Sequence, residues 1–205
     1  MLGAWLTFLL IDQIIGARER RREREAEERE RLKRLLIRRL RSPHPEVVAK
    51  AVRLLREYGW FSDGTLYGAY LSYANWSGLD MSGIDVEGAR MRKVRLVNTD
   101  LRHANLEGTT VTVERLALAY ALRGAVMRDG RRYDGRLNLP GDLEEARRQG
   151  IPLDDDEAMA RFYGVSVQEY RAGQAWARKH LERVRAQGEK LLTALEEPWW
   201  EKVAK

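Results

Sequence analysis

Every fifth residue from Leu66 to Val111 is apolar: Leu66, Leu71, Trp76, Met81, Val86, Met91, Leu96, Leu101, Leu106 and Val111. A helix repeats in about 3.6 residues and a strand in about 2, so a period of five belongs to neither. A chain that returns an apolar side chain inward every five residues has to turn a corner every five residues. Four such sides close a square, and squares stacked about 4.8 Å apart pair their backbones above and below. The residues two positions earlier form a second inward row, small or apolar in character: Ala69, Ala74, Leu79, Ile84, Ala89, Val94, Thr99, Ala104 and Thr109. Two positions later, Gly68, Gly78, Gly83, Gly88 and Gly108 fall where a corner demands unusual backbone angles. The positions between are mostly polar, among them Asn75, Asp80, Asp85, Asp100 and Asn105.

The run YLSYANWSGLDMSGIDVEGARMRKVRLVNTDLRHANLEGT resembles the pentapeptide-repeat proteins, whose unit is A-(D/N)-L-x-x, and ALRGAVMRDGRRYDG resembles the segment that closes such arrays. The resemblance covers Gly64–Val113 and Leu122–Gly135, with Leu79, Ile84 and Val94 in place of the small residue and Lys93 and Asn98 in place of glycine. It implies a mainly β-solenoid fold plus helices: a short right-handed quadrilateral β-helix of about two and a half coils, about 12 Å tall, capped by N-terminal and C-terminal α-helices. The phase breaks after Val111. Thr112 reads as the N-cap of one or two helical turns, with Arg115 where a capping box wants Glu. Leu122 and Met127 then resume the spacing one residue out of register, as a final rung.

The ends of so short a stack expose unpaired backbone and an apolar cross-section, so both flanks should act as caps. Ser42-Pro43 opens a helix with Val48, Val52 and Leu55 on one stripe, stopping at Gly59, and Trp60 and Phe61 then lie over the first coil. Beyond the array, Asp142–Gln149 and Asp156–Tyr163 read as short helices ended by Gly150 and Gly164. Ser166 and Glu169 match a capping box that opens a long helix, Val167 to Glu196, with Tyr170, Trp176, Leu181, Val184, Leu191, Leu192 and Leu195 on a partly apolar face. Gly173 and Gly188 weaken that helix. The organisation expected is a candidate anchor over 1–17, a charged spacer over 18–41, a capping helix over 42–62, the repeat array over 63–137 and a helical extension over 138–205.

Charge is concentrated in the spacer. The 205-residue chain carries 37 Lys and Arg against 31 Asp and Glu, a formal +6. Residues 18–41 hold twelve basic and six acidic residues, which is the whole excess. The basic balance therefore describes one segment and not a domain, and a nucleic-acid partner is not expected. Arg18–Arg31 has Ala26 as its one apolar residue and should be a solvated, ion-paired helix; from Leu32 the residues Leu32, Leu35, Leu36 and Leu40 form a stripe. Before the spacer, Met1–Ala17 has Asp12 as its only charged side chain. With every cation on one flank, this run reads as a membrane helix with the bulk of the chain cytoplasmic. It begins at Met1 as though its first turns preceded it, and it lacks the basic start and cleavage site of a signal peptide. The other reading is a hydrophobic helix buried in a soluble oligomer. A mean hydropathy of -0.54 excludes a polytopic membrane protein.

Little of the sequence carries reaction chemistry. There is no cysteine, which removes disulfides, thiolate metal sites and cysteine nucleophiles, and the three histidines (His44, His103, His180) are scattered. No phosphate loop, dinucleotide fingerprint, nucleophile elbow or zinc-ligand spacing occurs. Asp154, Asp155 and Asp156 read as an acidic helix start and not as a cation site. A narrow coil filled with side chains offers no pocket, so neither enzymatic activity nor a cofactor or metal is expected. Arg90, Arg92, Lys93, Arg95 and Arg102 cluster on about one coil, as a solvated surface or a contact for an acidic partner. Trp199 and Trp200 form a second candidate contact. The resemblance also brings in DNA mimicry toward type II topoisomerases, but the array over Gly64–Val113 has five acids and five bases where a mimic is acidic. The function expected is a non-enzymatic interaction or scaffold module tethered to the cytoplasmic face of a membrane. The alternative is a soluble oligomeric repeat protein that binds a topoisomerase or another protein.

Overall fold

The computed structural model describes residues 2–196, with side chains described over residues 16–193. Among the described residues, six helices hold about half of the chain: α1 (Leu2–Leu40), α2 (Pro45–Glu57), α3 (Val113–Leu116), α4 (Pro140–Arg148), α5 (Asp156–Tyr163) and α6 (Val167–Glu196). Between α2 and α4 lies the repeat array, interrupted by α3.

The array corrects the expected fold class. Among the described residues there is no sheet and no extended strand, only seven isolated bridges, and helix outweighs them severalfold, so a mainly β-solenoid class does not hold. The reason lies in the period itself. A corner every five residues places four of them in or beside a turn and leaves one residue per side free to bridge a neighbour. The result is a coil of turns, not a stack of strands. Bridges join residues twenty apart, Tyr70 with Arg90, Asn75 with Arg95, Asp80 with Asp100 and Asp85 with Asn105, so four units complete one layer. The Leu71 N–H donates to the Arg90 carbonyl at 2.8 Å and the Arg90 N–H to the Ala69 carbonyl at 2.9 Å, and this alternation recurs around the coil.

The interior is filled by the two inward rows. All ten residues from Leu66 to Val111 are buried, none more than 3% exposed, and Ala74, Ile84, Ala89, Val94, Thr99, Ala104 and Thr109 are fully buried beside them. The two threonines there satisfy their hydroxyls on backbone carbonyls, Thr99 on Trp76 and Thr109 on Leu106, both at 2.8 Å. After α3 the bridge offset grows from twenty to twenty-one, as Asp100 meets Ala121 and Asn105 meets Val126. The helical turn takes up the additional residue, which accounts for the shifted register at Leu122 and Met127.

Both ends of the stack are covered. At the first layer, the Asn75 and Asp85 N–H groups, which have no layer beneath them, donate to the Ser42 and Phe61 carbonyls at 3.0 Å, and the Trp76 indole donates to the Leu40 carbonyl at 2.9 Å. Trp60 and Phe61 are buried there. At the last layer, the backbone folds into a hairpin in which Val126 bridges Arg132 antiparallel. The Leu122 and Arg123 N–H groups donate to the fully buried carboxylate of Asp142, at 3.0–3.2 Å. A side chain of α4 thus stands in for the missing next layer.

The flanking helices follow their local signals with differences. Helix α2 starts at Pro45, three residues after Ser42, because His44 is the extended N-cap and Pro45 takes the first helical position. Helix α4 starts at Pro140 for the same reason, which frees Asp142 to serve the array. Asp155 caps α5 through the Glu157 and Ala158 N–H groups, Gly164 ends it in the left-handed region, and the Ser166–Glu169 capping box opens α6 reciprocally. Along α6, Tyr170, Leu181 and Val184 are buried and Trp176 half-buried; the Leu195 side chain lies outside the described residues. Residues 17–31 of α1 are exposed throughout; beyond them Leu36 and Leu40 are buried, whereas Leu35 points outward at 41% exposure and Ile37 takes its place on the packed stripe.

The expectation of a membrane-crossing helix is also corrected. Among the described residues no helix is long and apolar enough to cross a membrane. Helix α1 runs on from Leu2 without a break, and its apolar run gives way to the charged segment at Arg18. The side chains of residues 1–15, most of the segment read as an anchor, lie outside the described residues, as do Trp199 and Trp200.

Candidate interaction surfaces

Each corner of the coil places one residue in the left-handed backbone region, which glycine enters freely and a long side chain enters at a cost. One corner column is all glycine: Gly68, Gly88 and Gly108. Two others mix glycine with Asn98 or His103, residue types that tolerate the region. The remaining column carries Tyr73 (φ 67°) and Lys93 (φ 57°), one directly above the other.

Around that corner the structure gathers most of the cations singled out in the sequence. Arg90, Arg92 and Lys93 are exposed, and Arg95, half-buried, lies one side further on. Arg102 is not part of this group. It sits half a layer away, hydrogen-bonded to the Asp100 carboxylate and, at 3.1 Å, to Glu145, and these acids raise its already high pKa. Glu145 also pairs with Arg123 at 2.8 Å, so Arg102 belongs to a tie between the array and α4. Arg115, out of place in a capping box, is buried and donates to the Val94 carbonyl at 2.8 Å; burial lowers its pKa.

Three tyrosines escaped the sequence reading. Tyr67, Tyr70 and Tyr73 are 69%, 47% and 48% exposed, the largest apolar exposures in the array. The Arg41 guanidinium lies 4.4 Å from the Tyr70 ring centre, and the Lys93 ammonium 5.2 Å from that of Tyr73. The Tyr67 ring lies against Gly88, 3.6 Å from where a Cβ there would stand. The signal was present as three aromatic residues at outward positions of one layer, but isolated outward residues have no periodicity to mark them.

A second feature lies outside the coil, whose interior is filled. A half-open cleft of about 620 Å³ lies between α3, the closing hairpin and the start of α6, with Val111, Leu116, Met127, Tyr133 and Leu137 in its wall. Two of its polar groups are engaged: Asp134 holds Arg136 through paired hydrogen bonds at 2.7–3.1 Å, and Glu169 serves the Ser166 cap. Tyr133 donates nothing to the cleft; its hydroxyl accepts the Leu137 N–H at 2.9 Å, and burial raises its pKa well above the ordinary phenol value. Among the described residues no group of three or more His, Asp or Glu side chains could hold a metal ion. Asp155 is engaged as a cap, and Asp156 pairs with Arg171 at 2.7 Å. His103 is exposed, with its ring against Gly124 of the next layer.

Residues 80–112 match the family of pentapeptide repeats in eight copies. No curated protein and no solved structure matches the chain. Such repeats are characteristic of protein-interaction modules and are generally non-enzymatic. The matched stretch includes Arg90, Arg92 and Lys93, whereas Tyr67, Tyr70 and Tyr73 precede it.

Proposed function

We propose that this chain is a non-enzymatic interaction module that binds a protein partner through the corner of its array around Tyr67, Tyr70, Tyr73, Arg90, Arg92 and Lys93. The observation that carries this reading is the exposure of three tyrosines among cations on a backbone whose interior is fully packed. Tyrosine and arginine are the residue types enriched where binding energy concentrates, because each offers a large contact area with a polar tip. A rigid coil presents them without the ordering cost that a loop would carry. The module is held at the cytoplasmic face of a membrane by peripheral contact. Support comes from residues 18–41, whose twelve basic residues outnumber six acidic ones on a largely exposed helix, where each cation near an anionic surface contributes about 1 kcal/mol.

A photo-cross-linking residue at Tyr67 or Tyr70 of the full chain, in cells, should yield a discrete protein adduct, while the same residue at Ser82, on the opposite corner, should not. Equal labelling at both corners, or none at either, would refute the assignment of the contact face. Membranes washed with high salt should release the chain; retention through salt and carbonate would point to an integral anchor instead.

A further inference from the structure

The column that holds Tyr73 and Lys93 differs from every other corner in one respect. Glycine would adopt its backbone freely, as it does at Gly68, Gly78, Gly83 and Gly88, yet two long side chains occupy it in consecutive layers. Those side chains are in contact with each other, ammonium over ring. An exposed ammonium–ring contact contributes only about 0.5–1 kcal/mol against the cost of two long side chains in the left-handed region, so their presence points to what lies outside.

The groups facing this corner share one sign. Arg41 comes from the end of α1, Arg90, Arg92 and Lys93 from the second layer, and among the described residues none of the four forms an ion pair. Among acids of the adjoining segments, Glu87 accepts from Asn105 at 3.4 Å on the neighbouring corner, and Glu114 of α3 acts electrostatically on the buried Arg115. We infer that the corner is a docking surface for an acidic, carboxylate-rich peptide segment of the partner. This inference rests on the reading of the array as an interaction module. Guanidinium and ammonium groups bind carboxylates by charge-assisted hydrogen bonds, and the tyrosine hydroxyls add neutral donors beside them. Nucleic acid fits less well. A base stacks on an open ring face, and cations already lie over the rings of Tyr70 and Tyr73.

The test is fluorescence anisotropy of the full chain with a labelled Glu/Asp peptide of about ten residues, long enough to follow one side of the coil and turn its corner. Tyr73→Gly combined with Lys93→Gly removes both side chains while supplying the residue the backbone favours. Its melting temperature should equal or exceed that of the parent, and its peptide affinity should fall about tenfold or more. Arg92→Glu should weaken binding likewise, and Arg178→Glu with Lys179→Glu, at exposed positions of α6, should leave it unchanged. Unchanged affinity in the corner variants, or an equal loss in the α6 variant, overturns the inference. So does tighter corner-dependent binding of a thymidine oligonucleotide of the same length. If the cross-link at Tyr67 forms while the peptide fails to bind, the acidic assignment falls and the interaction module stands.

Discussion

Asp142 shows what one side chain can do at the end of a repetitive structure. Its carboxylate is removed from water and faces two backbone N–H groups that would otherwise have no partner. Burial pushes its pKa up to about 6 from 3.8, with the Arg123 and Leu122 N–H groups opposing the rise only in part. The folded state therefore holds a proton between about 4 and 6 that the unfolded chain has released. This contribution to stability is greatest below that window, falls as pH rises through it and is constant above. Asp142→Asn should flatten this part of the stability–pH curve relative to the parent, as measured by urea unfolding from acid to neutral pH. Asp142→Ala leaves both donors unpaired and should cost about 2–3 kcal/mol. Nothing in the local sequence marks Asp142 for this role. An acid near a helix start reads as part of that helix's first turn, and only the third dimension sets the last layer against it.

At the scale of elements, legibility tracked local chemistry. Helices α5 and α6 were readable because their caps are spelled in adjacent residues: Asp155, Gly164 and the Ser166–Glu169 box. Helices α2 and α4 begin at prolines that follow non-capping residues, so their starts were misplaced by two or three positions. The inward rows of the array were readable because burial at a fixed period repeats ten times over. The class of the array was misread because periodicity reports where side chains point, not how many residues remain extended between corners. The two glycines of α6, which propensity alone counts as weaknesses, have a packing role. A Cβ on Gly188 would lie 2.5 Å from the Glu114 carbonyl oxygen, and one on Gly173 would lie 2.7 Å from the Asp134 carboxylate. Helix α6 thus meets the α3 backbone and the Asp134 side chain too closely for a Cβ at either glycine. Gly188→Ala should destabilise the protein by about 1–3 kcal/mol in thermal or chemical unfolding, although an exposed helix would gain about 1 kcal/mol from the same change.

The whole molecule is a short stack closed at both faces. The α1–α2 pair and the Trp60–Phe61 segment take the first layer's donors; Asp142 and the hairpin take the last layer's. Closure matters because an open face of aligned N–H and carbonyl groups invites another chain to continue the pairing. The same arrangement separates two jobs within one molecule. Inward positions determine stability and tolerate little, whereas outward positions on four columns can vary with small structural effect. The corner of Tyr73 and Lys93 lies among the latter, which is why its role was invisible to periodicity and had to be read from exposure, charge and backbone strain.

The twenty-residue bridge offset carries a consequence for how such a chain can lengthen. Growth by duplication is quantised. A tandem copy of Tyr70–Ala89 would add one full circuit, raise the C-terminal helices by about 4.8 Å and leave them facing the same direction over the N-terminal ones. A copy of five residues would instead rotate everything downstream by a quarter circuit and carry Asp142 away from the two donors it serves. The first insertion should melt as cooperatively as the parent and the second should not. A lineage of such proteins is thereby confined to lengths that keep both lids in step.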